Sequence, residues 1–325
     1  MRSRAKNVRL PRVNTEPGTS WAAGAATASP QRSDPLTEGR AAGRADLDLR
    51  STAEIVELIN DEDASVAAAV RAASPSLARA IDAIVDRLRR GGRLVYVGAG
   101  SSGRLAAVDA AECGPTFGVP LEQVVAVVAG GAAALAVAQE AAEDAAEGGA
   151  ADVAAAGVRA DDAVVVVSAS GRTPYVVGAA RAARAAGALT VAVVCAERTE
   201  LGRLVDHEVA AVVGPEVIVG STRMKAGTAQ KLILNTISTV SMIRLGKTYG
   251  DLMVDVVASN AKLRDRALRA VADATGAGDA EASAALEVSG GDAKVAIVSL
   301  LAGVDAAAAR VRLDAAGGAV RKALA

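Results

Sequence analysis

The sequence is poor in the residues that build disulfide-bonded or metal-bound proteins. It has two cysteines, Cys113 and Cys195, and one histidine, His207. Two cysteines exclude a disulfide framework and a zinc site built on thiolates, and a lone histidine excludes a poly-histidine metal site. We therefore expect a protein that works without metal or cofactor, and these counts fit a reducing cytoplasm.

The sequence also lacks an excess of one charge and lacks long hydrophobic runs. Lys and Arg number 36 and Asp and Glu number 37, so the formal net charge is -1. Such a chain has no overall field that attracts nucleic acid or anionic lipid. The longest apolar runs, such as residues 163–167 and 189–195, have the length of a strand and not of a membrane span. We expect a soluble cytoplasmic protein with no nucleic-acid partner and no membrane partner.

Aromatic residues are scarce as well, at 2% of a chain that is 51% hydrophobic. The hydrophobic residues are mostly Ala, Val and Leu, whose small side chains need close contacts between helices and a sheet. A layered α/β fold meets that need. Residues 1–35 are rich in Arg, Ser, Pro, Gly and Ala and lack the apolar segment of a secretory signal, so they predict a disordered tail.

After the tail, the hydrophobic pattern divides the chain into three parts. Residues 36–83 show helical spacing and predict an N-terminal helical segment. Residues 84–247 alternate β-branched runs with Gly or Ser turns and helices, which indicates a mainly parallel sheet covered on both faces. Residues 248–325 predict a small helical C-terminal region. The predicted strands are residues 93–97, 124–128, 163–167, 189–195 and 208–213.

Three of the predicted helices bear on function. The first strand is followed by a helix that reaches about residue 111, and the second by one long Ala-rich helix that reaches Glu147. A third helix is predicted over residues 221–244.

Two loops at strand ends carry the residue types that hold a phosphate. Residues 98–103 (GAGSSG) follow the first strand, and residues 168–173 (SASGRT) follow the third. Backbone N–H groups at a helix N-terminus supply a positive dipole, and hydroxyls add donors. Ligands of parallel sheets bind beyond the carboxyl ends of the strands, so both loops are expected around one phosphate. The candidate binding residues are Gly100, Ser101, Ser102, Ser168, Ser170 and Thr173.

The first loop has two other interpretations. It resembles a dinucleotide fingerprint only weakly, because the second strand ends in Ala129-Gly130-Gly131 without the acidic residue that binds a ribose. A tight turn with a serine N-cap is the structural alternative. The two loops together resemble the sugar isomerase (SIS) domain, whose members bind phosphosugars.

Further donors and acids follow along the chain. Ser221 and Lys225 open a predicted helix and would serve a second anionic group of a substrate, the alternative being a capped helix with solvated cations. Glu112 precedes Pro115, which is expected to end its helix and keep the carboxylate near the sheet edge. Glu143 belongs to a row of glutamates at helical spacing, which by itself is typical of a solvated face.

Five segments resemble those of the N-acetylmuramic acid 6-phosphate etherases. They are GAGSSGRL at 98–105, DAAECGPTF at 109–117, SASGRTPY at 168–175, GSTRMKAGTAQK at 220–231 and LMVDV at 252–256. Residues 37–38, 46–48 and 60–63 are similar to the family's N-terminal portion, so the resemblance begins at about residue 36. Ser101 stands where the family usually has Thr, and Asp251 where it has Asn.

The resemblance implies a three-layer SIS-type fold and a homodimer acting on a small-molecule phosphosugar. The implied reaction splits the lactyl ether of N-acetylmuramic acid 6-phosphate into N-acetylglucosamine 6-phosphate and D-lactate, as part of peptidoglycan recycling. It also implies two catalytic glutamates, which fall on Glu112 and Glu143. We assign Glu112 as the acid that protonates lactate and Glu143 as the base. An SIS aldose-ketose isomerase and a non-catalytic phosphosugar sensor remain as alternatives.

Overall fold

The computed structural model describes residues 36–256 and 261–325. The predicted tail, residues 1–35, lies outside the described residues. The first long helix begins at Ser51, whose hydroxyl accepts from the Glu54 backbone while the Glu54 carboxylate accepts from the Ser51 N–H. This reciprocal cap satisfies two N–H groups that a helix start leaves unpaired. The N-terminal helices are α1 (Thr52–Ala64), α2 (Val66–Ala72) and α3 (Ser74–Arg89).

A five-stranded sheet forms the centre of the protein. Its order is β2-β1-β3-β4-β5 and all neighbouring strands are parallel. The strands are β1 (Leu94–Gly98), β2 (Val124–Val128), β3 (Ala163–Val167), β4 (Leu189–Val194) and β5 (His207–Ala210). The central strands are fully buried because helices cover both faces. The predicted α/β fold with a mainly parallel sheet is therefore confirmed.

Alternate residues of each strand enter two separate cores. Tyr96 and Val165 pack on one face with α3 and with the long helix α10 (Lys225–Arg244). Val95 and Val164 pack on the other face with α8 (Pro174–Ala185). The remaining helices of this region are α4 (Gly100–Phe117), α5 (Ala133–Ala136), α6 (Glu140–Glu143), α7 (Ala146–Ala155) and α9 (Glu200–Leu204).

Two predicted helices differ from the observed ones. The Ala-rich segment after β2 is divided into α5, α6 and α7, because alanine favours helix at every position and cannot specify where tertiary contacts interrupt it. Helix α4 runs through Pro115 and ends at Gly118, which has a left-handed backbone with φ 62°. The prediction that Pro115 ends this helix was wrong: a proline near the end removes one helical hydrogen bond, and the glycine provides the stop.

The C-terminal region is helical, as predicted, and has its own core. A short hairpin of β6 (Thr248–Tyr249) and β7 (Leu252–Met253) precedes it. The helices are α11 (Ala261–Thr275), α12 (Asp279–Val288), α13 (Ala293–Ala302), α14 (Ala306–Ala315) and α15 (Val320–Ala323). Asp255 pairs with Lys247 and Lys294, and its carbonyl packs on Gly118 at the end of α4.

Of the helices in the described ranges, none is both long and apolar enough to cross a membrane. The predicted domain boundaries stay predictions, and α3 crosses the one placed at 83/84.

Candidate active site

The two predicted phosphate loops lie side by side at the carboxyl edge of the sheet. Strands β1 and β3 are neighbours, and each loop begins where its strand ends. The first loop is tightly folded, because a Cβ at Gly103 would lie 2.7 Å from the Gly98 carbonyl oxygen. This close approach aims the N-terminus of α4 at the space beyond the strand ends, where anionic ligands of such sheets bind.

Glu143 lies directly against the first loop. Its Oε1 is 2.5 Å from the point that a Cβ on Gly100 would occupy, and Gly100 has a φ of 53°. Only glycine leaves room for the carboxylate and adopts this backbone without strain. The structure thus brings Glu143, which by spacing alone belonged to a solvated row, into contact with a predicted binding residue.

The surroundings of Glu143 favour its protonated form more than water does. Partial burial is the main cause of the raised pKa of this carboxyl, and the nearby charges of Asp144 and Glu140 add to it. Arg104 opposes the rise. The Arg104 Nε also donates to the Ala134 carbonyl at 2.8 Å, which ties the start of α4 to α5. A carboxylate with a raised pKa beside a candidate phosphate loop has the properties of a general base.

Ser101 and Ser102 are half-buried on the first turn of α4. The Ser102 hydroxyl lies 3.0 Å from Oε1 of Gln230, a residue of α10 that is 1% exposed. Gln230 lies within the recognised segment 220–231, yet the sequence interpretation did not single it out. The signal available was its position five residues after Lys225, about 1.4 turns along the same helix.

The hydroxyls of the second loop are partly used to fold the loop itself. Ser168 is buried, its Oγ is 2.9 Å from the Thr173 Oγ1, and it accepts from the Gly171 N–H at 3.1 Å. Ser170 accepts from the Arg172 N–H at 3.4 Å. Ser170 and Thr173 are half-buried and therefore remain open to a ligand, whereas Ser168 serves the loop.

The predicted cation Lys225 already has a partner inside the protein. It is buried, and its Nζ pairs with Glu62 of α1, which also pairs with Arg44. The N–H groups of Lys225 and Ala226 donate to the buried carboxylate of Glu216, each at 3.0 Å. This carboxylate occupies the N-terminus of α10, where the sequence predicts that Ser221 and Lys225 meet an anionic group of the substrate. Ser221 is half-buried in the loop before the helix.

Glu112 is not brought to this edge of the sheet within one chain. It is exposed on α4, twelve residues after Gly100, which is about 18 Å along the helix axis at the standard rise. Because α4 runs back along the sheet, its C-terminal turns lie toward the opposite edge from the loops. The expectation that Pro115 holds the Glu112 carboxylate near the loops therefore fails.

A buried network links the middle of α4 to its neighbours. Asp109 accepts from the Tyr96 hydroxyl at 2.8 Å, from Asn235 Nδ2 at 2.6 Å and from the Ser238 hydroxyl at 3.0 Å. Burial, with the charge of Asp109, raises the pKa of Tyr96 well above its usual range. The sequence interpretation missed Asp109, although it lies at helical spacing from the buried Cys113 and so on the inner face of the helix.

Comparisons with known proteins find relatives that cover most of the chain. The family model of the glucokinase regulatory protein N-terminal SIS domain matches residues 76–184. An N-acetylmuramic acid 6-phosphate etherase of Rubrobacter xylanophilus is 59% identical over 289 residues, which are 89% of this chain and 95% of that protein. A protein of the same name from Streptomyces avermitilis is 54% identical over 86% of this chain and 90% of its own length. A phosphoheptose isomerase structure from Francisella tularensis matches with a TM-score of 0.44 at 21% identity, over 58% of this chain and 98% of that one.

Proposed function

The chain belongs to the N-acetylmuramic acid 6-phosphate etherase family, and on that premise we propose that it cleaves the D-lactyl ether of N-acetylmuramic acid 6-phosphate. The products are N-acetylglucosamine 6-phosphate and D-lactate, which makes the protein a carbon–oxygen lyase. The observation that carries the proposal is the contact between Glu143 and Gly100, since it joins a candidate base to a candidate phosphate loop.

The first step is a proton transfer to Glu143. In the open-chain sugar, the proton on C2 is acidic because C1 is an aldehyde. Glu143 removes this proton, the C3–O bond breaks, and the lactyl oxygen leaves with the bonding electrons. The raised pKa of Glu143 brings the basicity of this carboxylate closer to the working pH, which is what a general base requires.

The second step returns water to the sugar. The lactyl oxygen takes a proton from an acid, and D-lactate departs from an unsaturated aldehyde. Water then adds at C3 and a proton returns to C2, so the sum of the steps is addition of one water across the ether. The protein contributes the base, the acid and the phosphate site, and the sugar's own aldehyde stabilises the charge that develops on C2.

We assign the acid to Glu112 and infer that a second copy of the chain supplies it. Within one chain, Glu112 and Glu143 belong to opposite edges of the sheet, whereas both are required at one substrate. A homodimer resolves this, because a symmetric pair can place α4 of one copy over the loops of the other. Exposed apolar residues around Glu112 and the edge strand β2 support this face as the contact; they are Val108, Leu121, Leu135 and Val137.

The phosphate is held by the two loops. The N-terminus of α4, with Gly100, Ser101 and Ser102, and the half-buried hydroxyls of Ser170 and Thr173 surround it. Ser168 contributes by fixing the second loop. Lys225 and Ser221 shape the adjoining wall, with Lys225 held by Glu62. We place the enzyme in the cytoplasm, where this reaction serves the recycling of peptidoglycan sugars.

The proposed function is tested by incubating the purified protein with N-acetylmuramic acid 6-phosphate in ¹⁸O-labelled water. We expect D-lactate without label and N-acetylglucosamine 6-phosphate with label at C3. The product sugar incubated alone is the control, because its aldehyde exchanges oxygen only at C1. Sugar isomerisation without lactate would instead indicate an aldose-ketose isomerase, and tight phosphosugar binding without any conversion would indicate a sensor.

A further inference from the structure

Gln230 combines deep burial with an unsatisfied donor. Its side chain is 1% exposed, its Oε1 lies 3.0 Å from the Ser102 hydroxyl, and its Nε2 has no hydrogen-bond partner among residues 36–256 and 261–325. A buried amide N–H without an acceptor loses its hydration and gains no hydrogen bond in return, which destabilises the folded state. A leucine or methionine would fill the same volume without this cost. The amide therefore has a use beyond packing.

The direction of the hydrogen bond decides what Ser102 can offer a ligand. With Oε1 toward Ser102, the serine gives its only hydroxyl proton to Gln230 and presents lone pairs to the loop, which repel phosphate oxygens. Rotating the amide by 180° about its last bond brings Nε2 to the same place. Nε2 then donates to Ser102 Oγ, and the serine proton is free to point at a phosphate.

The neighbourhood supplies the rest of an anion site. Ser102 lies on the first turn of an 18-residue helix, and the N–H of Gly103 already donates to the Ala99 carbonyl at 3.1 Å. The N–H groups before Gly103 belong to the open end of the helix dipole and favour an anion there. The backbone N–H groups of this site point in fixed directions, whereas the direction of the Ser102 hydroxyl proton depends on Gln230.

We propose that Gln230 is a positioning residue: with Nε2 of its amide donating to Ser102 Oγ, it holds the serine with its hydroxyl proton directed at the phosphate of the substrate. This proposal rests on the proposed function, because it takes the ligand to be a phosphosugar. Gln230 touches no reacting atom and acts through Ser102 alone. Its removal must therefore weaken phosphate binding only while Ser102 is present.

A double-mutant cycle on product binding tests this dependence. The four proteins are the unaltered chain, Gln230→Met, Ser102→Ala and the double variant, and the measurement is the Kd of N-acetylglucosamine 6-phosphate by calorimetry. We expect Gln230→Met to weaken binding about tenfold, the scale of one charge-assisted hydrogen bond. In the Ser102→Ala background, the same substitution should leave the Kd unchanged. An equal loss in both backgrounds would overturn the proposal.

Gln230→Glu is the second variant, since it keeps the shape but can only accept from Ser102. We expect binding to weaken about 100-fold, because the carboxylate retains the serine proton and adds a negative charge. Binding equal to that of the unaltered chain would contradict the proposal. Ser241→Ala is the matched control: Ser241 is buried on the same helix with a hydroxyl that lacks a partner in the described part of the chain, yet it is distant from the loop. Its Kd should not change.

Substrate kinetics separate positioning from a general loss of structure. Gln230→Met should raise KM for N-acetylmuramic acid 6-phosphate and change kcat less, with an unfolding temperature close to that of the unaltered chain. If the unaltered chain binds the phosphosugar product but releases no lactate, the proposed function fails while the binding cycle still decides the role of Gln230. If lactate is released and the cycle is additive, only the role of Gln230 fails.

Discussion

The two ends of helix α4 differ in what they offer. At its start, Gly100 has no side chain and receives the Glu143 carboxylate; near its end, Glu112 is exposed and Gly118 packs on the backbone of Asp255. A motif that is continuous in sequence therefore places its chemical groups toward opposite edges of the sheet. Helices that cover a parallel sheet carry residues away from the ligand edge at about 1.5 Å per residue. The homodimer that we propose would bring the two ends of α4 together at one substrate.

The largest effect is expected from mixing two inactive variants. Glu112→Gln and Glu143→Gln should each lower kcat by about two to four orders of magnitude, the worth of one general acid or base. Mixed and reassociated, they form heterodimers in which one site joins the intact Glu143 of one copy with the intact Glu112 of the other. Lactate release should recover to about a quarter of the unaltered rate, as expected for random pairing with one good site in each heterodimer.

The contrary result is equally informative. If both glutamates acted within one chain, every subunit in the mixture would lack one of them. The mixture would then stay as inactive as its components, although exchange of subunits could be demonstrated with differently tagged chains. That outcome would remove the second copy from the proposed site.

Gly100→Ala tests the start of α4. Its Cβ would lie 2.5 Å from the Glu143 Oε1, so the carboxylate must move, and a displacement of about 1 Å can cost 100-fold in rate. We expect kcat to fall by about that factor. Gly91→Ala is the matched control, because Gly91 has a φ of 82° and a Cβ there meets nothing within 4 Å. It carries the same backbone strain without the clash, and its kcat should be unchanged.

The middle of α4 is tested through Tyr96→Phe. This change leaves one oxygen of the buried Asp109 without its donor at 2.8 Å, which should lower the free energy of unfolding by about 1–3 kcal/mol in urea titrations. Tyr175→Phe removes a similar bond of 2.7 Å to Asp152, whose half-buried carboxylate can turn to water instead. Equal losses in the two variants would show that burial of Asp109 does not determine the cost.

The smallest effect concerns stability and pH at Glu143. Folding raises the pKa of Glu143 above its ordinary value of 4.5. Glu143 therefore contributes its full stability to the folded state below pH 4.5, and this contribution is lost as the pH rises through the raised pKa. Glu143→Gln should therefore gain thermal stability relative to the unaltered chain as pH increases from 4 toward 8. Glu147→Gln, an exposed change at the start of α7 that removes none of the charges acting on the pKa of Glu143, controls for the loss of one negative charge. A gain independent of pH would contradict the cause given for the pKa.

The sequence predicted the sheet well and the site only in part. Buried valine runs bounded by glycine locate strands such as Ala163–Val167, because few other structures accommodate them. The contact of Glu143 with Gly100 depends on how the Ala-rich segment is interrupted, and alanine carries no signal for that. The Lys225 side chain pairs with Glu62, 163 positions earlier in the chain, and its N–H donates to Glu216, which lies outside the recognised segment 220–231. The charge pairing with Glu62 is non-local, so it leaves no local pattern to detect.

The pairing of Lys225 with Glu62 also couples two parts of the chain that are far apart in sequence. These residues are 163 positions apart, and the whole sheet is encoded between them. A lysine this deeply buried is costly without its counter-ion, so the stability of α10 depends on having α1 docked beside it. The ion pair thus makes the N-terminal helices and the last helix of the α/β region stabilise each other across the sheet that separates them in sequence.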